Sequence, residues 1–141
     1  MPEPQLPLTG GCLCGGVRFE IAAPLVNASY CHCTRCQRRT GTAASAQGKL
    51  EPGSLRFASG EDLVRAYDPG DGGWAKLFCG ECGSSLFSRA PGADEPGSVR
   101  LGALDGDPGV RPSFRTHVGT AAVWEPLPDD GLPRYEAGRT D

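Results

Sequence analysis

Short runs of alternating apolar and polar residues dominate the chain. The clearest is VRFEI, in which Val17, Phe19 and Ile21 alternate with Arg18 and Glu20. Alternation with a period of two is typical of a strand that is buried on one face. Comparable short runs predict further strands at NASYCHC (27–33), TAASAQ (42–47), LRFASG (55–60), LVRAYD (63–68), WAKLFC (74–79), SSLFSR (84–89), SVRLGALD (98–105), FRTHVG (114–119) and AAVW (121–124).

Helix is expected at one place only. In TRCQRRTG (34–41), Thr34 and Gln37 fit a capping box and Gly41 fits a helix end. The chain has 21 Gly and 13 Pro among 141 residues, so longer helices would be interrupted. We predict a loose arm over residues 1–9, one mainly β domain over residues 10–141, and a polar tail, LPDDGLPRYEAGRTD, that wraps the surface.

Composition and charge narrow the function classes. A net charge of −3 and an isoelectric point near 5.4 argue against a general nucleic-acid binder. No apolar run reaches the ~18 residues of a membrane span, and the first residues do not resemble a secretory signal. We therefore expect a cytoplasmic protein without a membrane or nucleic-acid partner. In that reducing compartment, the seven cysteines are expected to be metal ligands rather than disulfides.

Four of the cysteines fit one structural zinc site. Cys12 and Cys14 form a C-x-C pair, whose side chains would share a face if the pair lay on a strand. Cys79 and Cys82 form a C-x-x-C turn flanked by glycines, which resembles a zinc knuckle. Together they would complete a tetrahedral site that closes a long loop and contributes to folding.

The remaining cysteines, Cys31, Cys33 and Cys36, make a set of three. Three thiolates can hold a second zinc and leave one position open, as catalytic zinc sites do. Spacing alone does not decide between this division and one in which the set borrows a cysteine from another pair. On a strand, His32 would point to the opposite face from its neighbours, which disfavours it as a ligand of this zinc without excluding it. His117 could reach the open position through the fold, but it is interpreted as a strand histidine near the core.

Four segments together resemble a known family. They are GGCLCGGVRFE, YCHCTRCQRRTG, LFCGECGSSLF and the stretch from VRLGALDGDP to FRTHVGTAAVWEPLPDDGLPRYE. The chain resembles the glutathione-dependent formaldehyde-activating enzyme family, which also includes centromere protein V. The resemblance covers about residues 10 to 136, and all seven cysteine positions match.

The resemblance implies a fold, two zinc ions and an activity. The fold is a tent-like arrangement of short antiparallel sheets around zinc, with little helix. The implied ligands of a structural zinc are Cys12, Cys14, Cys79 and Cys82, and those of a second, catalytic zinc are Cys31, Cys33 and Cys36. The founding activity is condensation of glutathione with formaldehyde to S-hydroxymethylglutathione, formally a carbon–sulfur lyase reaction. Many members carry the same cysteines without a demonstrated substrate.

Our working hypothesis is a carbon–sulfur lyase whose substrate thiol occupies the open zinc position. The partners would be a small thiol such as glutathione and a small aldehyde. Arg35, Arg38 and Arg39 follow the set of three cysteines and could bind the carboxylates of glutathione. No general base is singled out, and Asp105 and Glu81 are expected to be structural. The alternative is a non-enzymatic zinc module that binds a protein partner. The sequence makes no prediction of oligomeric state.

Overall fold

The structure is a computed structural model that describes residues 5–139. These residues form short strands, one seven-residue α-helix and three 3-10 turns. The strands are β1 (Leu8–Gly11), β2 (Arg18–Ile21), β3 (Ala28–Cys31), β4 (Ser45–Lys49), β5 (Leu55–Ser59), β6 (Val64–Tyr67), β7 (Ala75–Cys79), β8 (Ser85–Arg89), β9 (Ser98–Arg100) and β10 (Arg115–Thr116), and the helix is α1 (Thr34–Thr40). The prediction of a mainly β fold with little helix is confirmed. No helix within residues 5–139 is long and apolar enough to cross a membrane.

The strands form two sheets. One has three antiparallel strands in the order β1-β2-β5, and the other has seven in the order β10-β3-β4-β9-β8-β7-β6. The pair β10–β3 is parallel, whereas the other pairs of the large sheet are antiparallel. The tail continues this edge, because Arg115 N donates to Pro133 O and Tyr135 N donates to Arg115 O, both at 2.9 Å.

Aromatic side chains join one face of the large sheet to the small sheet. The ring of Phe87 on β8 meets the edge of Phe19 at 5.0 Å and that of Phe57 at 5.8 Å between centroids. Val17 and Ile21 are fully buried beside Phe19. The alternation seen in VRFEI is therefore the core-facing pattern of β2 and of the residue before it.

The opposite face of the large sheet is polar. On β4, Ser45 and Gln47 point to the same side, where Ser45 pairs with Cys31 of β3 and Gln47 pairs with Arg100 of β9. Helix α1 lies over this face: it contacts β4, and the sulfur of its buried Cys36 approaches that of Cys31. One face thus forms the apolar core, and the other forms a polar layer beneath α1.

The ends of several elements differ from the sequence predictions. The loose arm is shorter than predicted, since Leu8 is buried and pairs with Ile21 in β1. Residues 1–4 of that arm lie outside the described residues. The Thr34–Gln37 capping box is wrong, because the N-cap is Cys33, whose side chain accepts from Cys36 N.

Two further predictions have mixed outcomes. Gly41 does end α1, with a left-handed φ of 70° that glycine adopts without strain. The stretch AAVW (121–124) is not a strand: Glu125 N bonds to Ala122 O at 3.2 Å, which turns the chain. Val123 and Trp124 are exposed.

The shared core predicts a large effect of Phe87→Ala. Removing a fully buried ring that contacts both sheets should lower the free energy of unfolding by about 3–5 kcal/mol. Val123→Ala, at a side chain that is 96% exposed, is the control and should change it by less than about 0.5 kcal/mol. The measurement is denaturant unfolding of metal-loaded protein followed by circular dichroism. Equal midpoints for the two variants would contradict a core that joins the sheets through Phe87.

Candidate metal centres

Four cysteine sulfurs from both sheets meet at one end of the molecule. Cys12 and Cys14 lie in the turn after β1, and Cys79 ends β7 with Cys82 in the turn that follows. Their four Sγ atoms lie within 4.8 Å of one another. The C-x-C pair lies in a turn, so its sulfurs meet through the turn and not through the shared face of a strand. The cluster therefore links a loop of the small sheet to a loop of the large one.

Backbone hydrogen bonds shape the two loops that carry these cysteines. Gly83 N donates to Cys79 O at 2.8 Å, and Gly83 has a left-handed φ of 78°. Leu13 N donates to Ser84 Oγ at 2.8 Å and so ties the first loop to the second. The geometry of the cluster is thus set by local turns and by one direct contact between the loops.

The sulfur positions fit a tetrahedral metal. The Sγ atoms of Cys12 and Cys14 are 3.5 Å apart, and those of Cys14 and Cys79 are 3.9 Å apart. Zn–S bonds of about 2.3 Å in a tetrahedron place sulfurs about 3.8 Å apart. Cysteine thiolates are also the usual ligands of structural zinc.

Hydrogen bonds favour the thiolate forms of two of these sulfurs, those of Cys12 and Cys82, whereas the neighbouring thiols raise the pKa of Cys14 to about 11. Val17 N donates to Cys12 Sγ at 3.2 Å. The Ser84 hydroxyl lies 3.2 Å from Cys82 Sγ, and this contact lowers the pKa of Cys82 to about 5. Such donors stabilise the ionised sulfur that a metal requires.

The second cluster is built at a junction between a strand and a helix. Cys31 is the last residue of β3, Cys33 is the N-cap of α1, and Cys36 lies in its first turn. Cys36 N donates to Cys33 Sγ at 3.3 Å. The three sulfurs lie within 4.8 Å of one another, and within the described part of the chain this group contains no fourth ligand atom.

Contacts with β10 and with the turn that follows it hold this junction in place. His32 N donates to Thr116 O at 3.0 Å. The Gln37 side-chain amide donates to His32 O at 2.9 Å and to Thr120 O at 2.8 Å. The turn between Cys31 and Cys33 is therefore fixed by residues more than 80 positions later in the chain.

Crowding of the three sulfurs separates their acidities. The contacts with Cys31 and Cys36 lower the pKa of Cys33, whereas the contacts with Cys33 and Cys36 raise that of Cys31. Neighbouring thiols compete in this way because the charge of the first thiolate disfavours ionisation of the next. A divalent cation bound to all three sulfurs would offset the repulsion between them and stabilise each as a thiolate, so this donor set also fits zinc.

His32 follows the last residue of β3, and its ring contacts Arg115 and is not part of the three-sulfur group. Its Nε2 lies 3.1 Å from Nη1 of Arg115, and burial followed by the charge of Arg115 lowers the pKa of His32. Arg115 in turn donates to Asp130 at 2.7 Å and lies 4.5 Å from the centroid of the Tyr30 ring. This buried network lies apart from both cysteine clusters.

His117 lies just outside β10 and near the second cluster. It leaves β10 in a left-handed conformation with φ of 55°, and it is the one non-glycine residue with positive φ between residues 5 and 139. Besides the contacts with Cys31 and Cys36, the charge of His117 lowers the pKa of Cys33. The expectation of an ordinary strand histidine is therefore wrong.

A basic cavity of about 420 Å³ lies beside α1. Its lining includes Arg35, Arg38 and Arg39 of α1, Lys76 of β7 and the rings of Tyr67 and Trp74. Asp71 also lines it and forms an ion pair with Arg35. After Asp71, the charge of Cys33 also raises the pKa of Arg35, which places this cavity near the second cluster.

Of the two carboxylates expected to be structural, Asp105 has partners on the small sheet. Asp105 accepts hydrogen bonds from Thr9 at 2.6 Å and from Arg18 Nη1 at 3.1 Å, and Arg18 chiefly lowers the pKa of Asp105. The sequence did not single out Lys76, Tyr67, Trp74 or Arg100 as site residues, because a single cation or ring in an alternating strand carries no signal of what lies opposite it.

Comparisons with known proteins agree with this geometry. The sequence model of the family described as glutathione-dependent formaldehyde-activating enzyme matches residues 7–120, a range that contains all seven cysteines. A crystal structure of a Rhodobacter sphaeroides protein is similar over 90% of this chain and 98% of that chain, with 25% identity and a TM-score of 0.55. No protein with curated annotation matches significantly. The chain belongs to the glutathione-dependent formaldehyde-activating enzyme family.

Proposed function

We propose that the protein is a zinc-dependent carbon–sulfur lyase that acts on the adduct of glutathione with a small aldehyde, as an S-hydroxymethylglutathione synthase does. The observation that carries the proposal is the set of three converging sulfurs of Cys31, Cys33 and Cys36, a group without a fourth ligand among the described residues. Membership of a family described by glutathione-dependent formaldehyde activation supports it.

The two clusters have separate tasks in this proposal. Cys12, Cys14, Cys79 and Cys82 hold a structural zinc that joins the two sheets. The ligands of the catalytic zinc are Cys31, Cys33 and Cys36. Zinc held by these three thiolates would be an electron-rich Lewis acid with room for one more ligand, which suits reversible binding of a substrate sulfur.

The basic cavity binds and orients the substrate. The cavity is lined by one carboxylate, that of Asp71, and by four cationic side chains: Arg35, Arg38, Arg39 and Lys76. Glutathione carries two carboxylates, and guanidinium groups bind carboxylates through paired hydrogen bonds. Since this cavity lies near Cys33, a carboxylate bound there would leave the thiol of the same molecule free to reach the three sulfurs.

The reaction balances without a redox partner. In the direction of cleavage, the carbon–sulfur bond of the hemithioacetal breaks, its electron pair stays on sulfur and the hydroxyl proton passes to solvent, so that aldehyde and thiolate are released. In the direction of synthesis, sulfur attacks the carbonyl carbon and the oxygen gains a proton. The chain contributes binding, orientation and the three sulfur ligands.

Serine substitutions should separate the two metal roles. We expect about two zinc ions per wild-type chain, one of them removed readily by a chelator. Cys33→Ser should lose the labile ion and keep its circular dichroism spectrum, because Cys33 is not part of the cluster that links the sheets. Cys79→Ser should fold poorly. Zinc analysis with thermal unfolding tests both, and equal loss of structure in the two variants would show that the roles are divided wrongly.

The free thiol should control ligand affinity. Isothermal titration of the zinc-loaded protein is expected to show glutathione binding at least about tenfold more tightly than S-methylglutathione. Methylation blocks the sulfur while it keeps both carboxylates, so the comparison isolates the thiol. Equal affinities would refute sulfur ligation and would favour a non-enzymatic module of the same fold.

A cavity arginine should affect charged thiols selectively. Arg35→Met should weaken glutathione binding by about three- to tenfold, since a partly exposed charge-assisted hydrogen bond is lost. The affinity for 2-mercaptoethanol, which has no carboxylate, should not change. Arg56→Met, at an exposed ion pair on the small sheet, is the control with the same loss of charge. A substrate site elsewhere is indicated if both variants bind glutathione like the wild type.

A further inference from the structure

Arg100 lies on the same polar sheet face as the three-cysteine cluster. It pairs with Gln47 of β4, and two residues earlier on that strand Ser45 pairs with Cys31. Side chains of paired residues, and of residues two apart on one strand, point to the same side of a sheet. The guanidinium of Arg100 and the sulfur of Cys31 therefore enter the same layer beneath α1.

The side chain of Arg100 is buried and has no carboxylate partner. The residue is 7% exposed, and its Nε has no hydrogen-bond partner. The ion pairs within residues 5–139 involve Arg18, Arg35, Arg56, Arg111 and Arg115. Arg100 thus differs from the other deeply buried arginine, Arg115, which is paired with Asp130.

Arg39 is a second cation that adds positive charge to this layer. Arg39 of α1 has two buried guanidinium nitrogens, Nε and Nη2, without a hydrogen-bond partner. Burial and then the charge of Arg100 lower the pKa of Arg39, so the two cations repel each other. The guanidinium of Arg39 lies 5.1 Å from the centroid of the Phe78 ring, which partly compensates its charge. Arg100 has no ion-pair partner among residues 5–139, and an uncompensated buried charge costs several kcal/mol, so an anion in this layer would be stabilising.

Asp105 lines the same cavity as Arg100, but it is already paired with Arg18. The three-cysteine cluster lies in the same layer of the sheet as Arg100. Burial lowers the pKa of Arg100, and the charges of Cys36, Cys31 and Cys33 oppose that shift. A divalent zinc with three thiolates has a net charge of about −1, and a fourth thiolate makes it about −2. Each added negative charge strengthens the attraction to a fixed buried cation, whereas a neutral fourth ligand adds nothing.

We propose that Arg100 is a positioning residue that balances the charge of the three-cysteine centre and thereby selects an anionic sulfur over a neutral donor as its fourth ligand. The inference rests on the proposed function and extends it, because it names the charge state of the bound ligand and the residue that selects it.

The test compares anionic and neutral ligands on cobalt-loaded protein. Thiolate coordination to Co²⁺ gives a sulfur-to-metal absorption, so difference spectra report binding without turnover. The probes are 2-mercaptoethanol, which lacks a carboxylate for the basic cavity, and imidazole, which binds as a neutral donor. Arg100→Met should weaken 2-mercaptoethanol binding by about tenfold or more and change imidazole binding by less than about twofold. Arg100→Lys should recover most of the thiol affinity because it retains the charge.

Controls and contrary outcomes keep the inference distinct from the function. Arg56→Met removes the same charge on the other sheet and should match the wild type for both probes. If Arg100→Met binds both probes equally more weakly, or binds both as tightly as the wild type, the inference about Arg100 is wrong. The proposed function still stands in that case, provided that the wild type binds the thiol. If the wild type itself shows no spectral change with 2-mercaptoethanol, the proposed function falls as well. Should Arg100→Met not fold, the comparison of Arg100→Lys with Arg100→Gln decides by the same criteria.

Discussion

The contacts of Phe87 with Phe19 and Phe57 join the two sheets, and they use only one face of the larger sheet. A chain of 141 residues with 21 glycines has little further apolar surface to bury. The other face of that sheet is therefore available for a polar layer, in which Ser45, Gln47 and Arg100 lie with Cys31 beneath α1. Because one face of the sheet is apolar and the other is polar, the candidate metal site lies on the side of the sheet opposite the core.

The two cysteine clusters follow this division. The four-cysteine cluster spans both sheets, since Cys12 follows β1 and Cys79 ends β7, and a metal there would add a cross-link where the aromatic core ends. The three-cysteine cluster stays within the polar layer, at the junction from β3 to α1. Its position among cations also explains how an acidic protein can offer a site for an anionic substrate: the net charge of −3 is a sum over the chain, and the electrostatics of the site depend on a few neighbours.

Several features could be predicted because they depend on residues close in sequence. The spacing of Cys31, Cys33 and Cys36 brings their sulfurs together through one turn and one helical turn, and Gly41 ends α1 as its conformational freedom suggests. The same local reasoning was wrong for the strand predicted at AAVW and for the helix cap predicted at Thr34. The first outcome depended on whether another layer lay beside the segment, and the second on whether a cysteine sulfur could cap the helix. A local sequence pattern indicates which conformation a segment favours. It does not indicate which other parts of the chain the segment will contact in the fold.

The sequence by itself determined the fold class and the family, because both are encoded in short-range alternation and in cysteine spacings of two and three residues. The division of the seven cysteines into sets of four and three was decided by the fold, which brings Cys12 and Cys14 to Cys79 and Cys82. Only the tertiary structure decided that Arg100 shares a face with Cys31, that Tyr67 and Trp74 line a cavity with the arginines of α1, and that His117 lies near Cys33. The physical reason is strand register: a shift of one residue would turn Arg100 to the opposite face, and register is set by packing across the whole sheet.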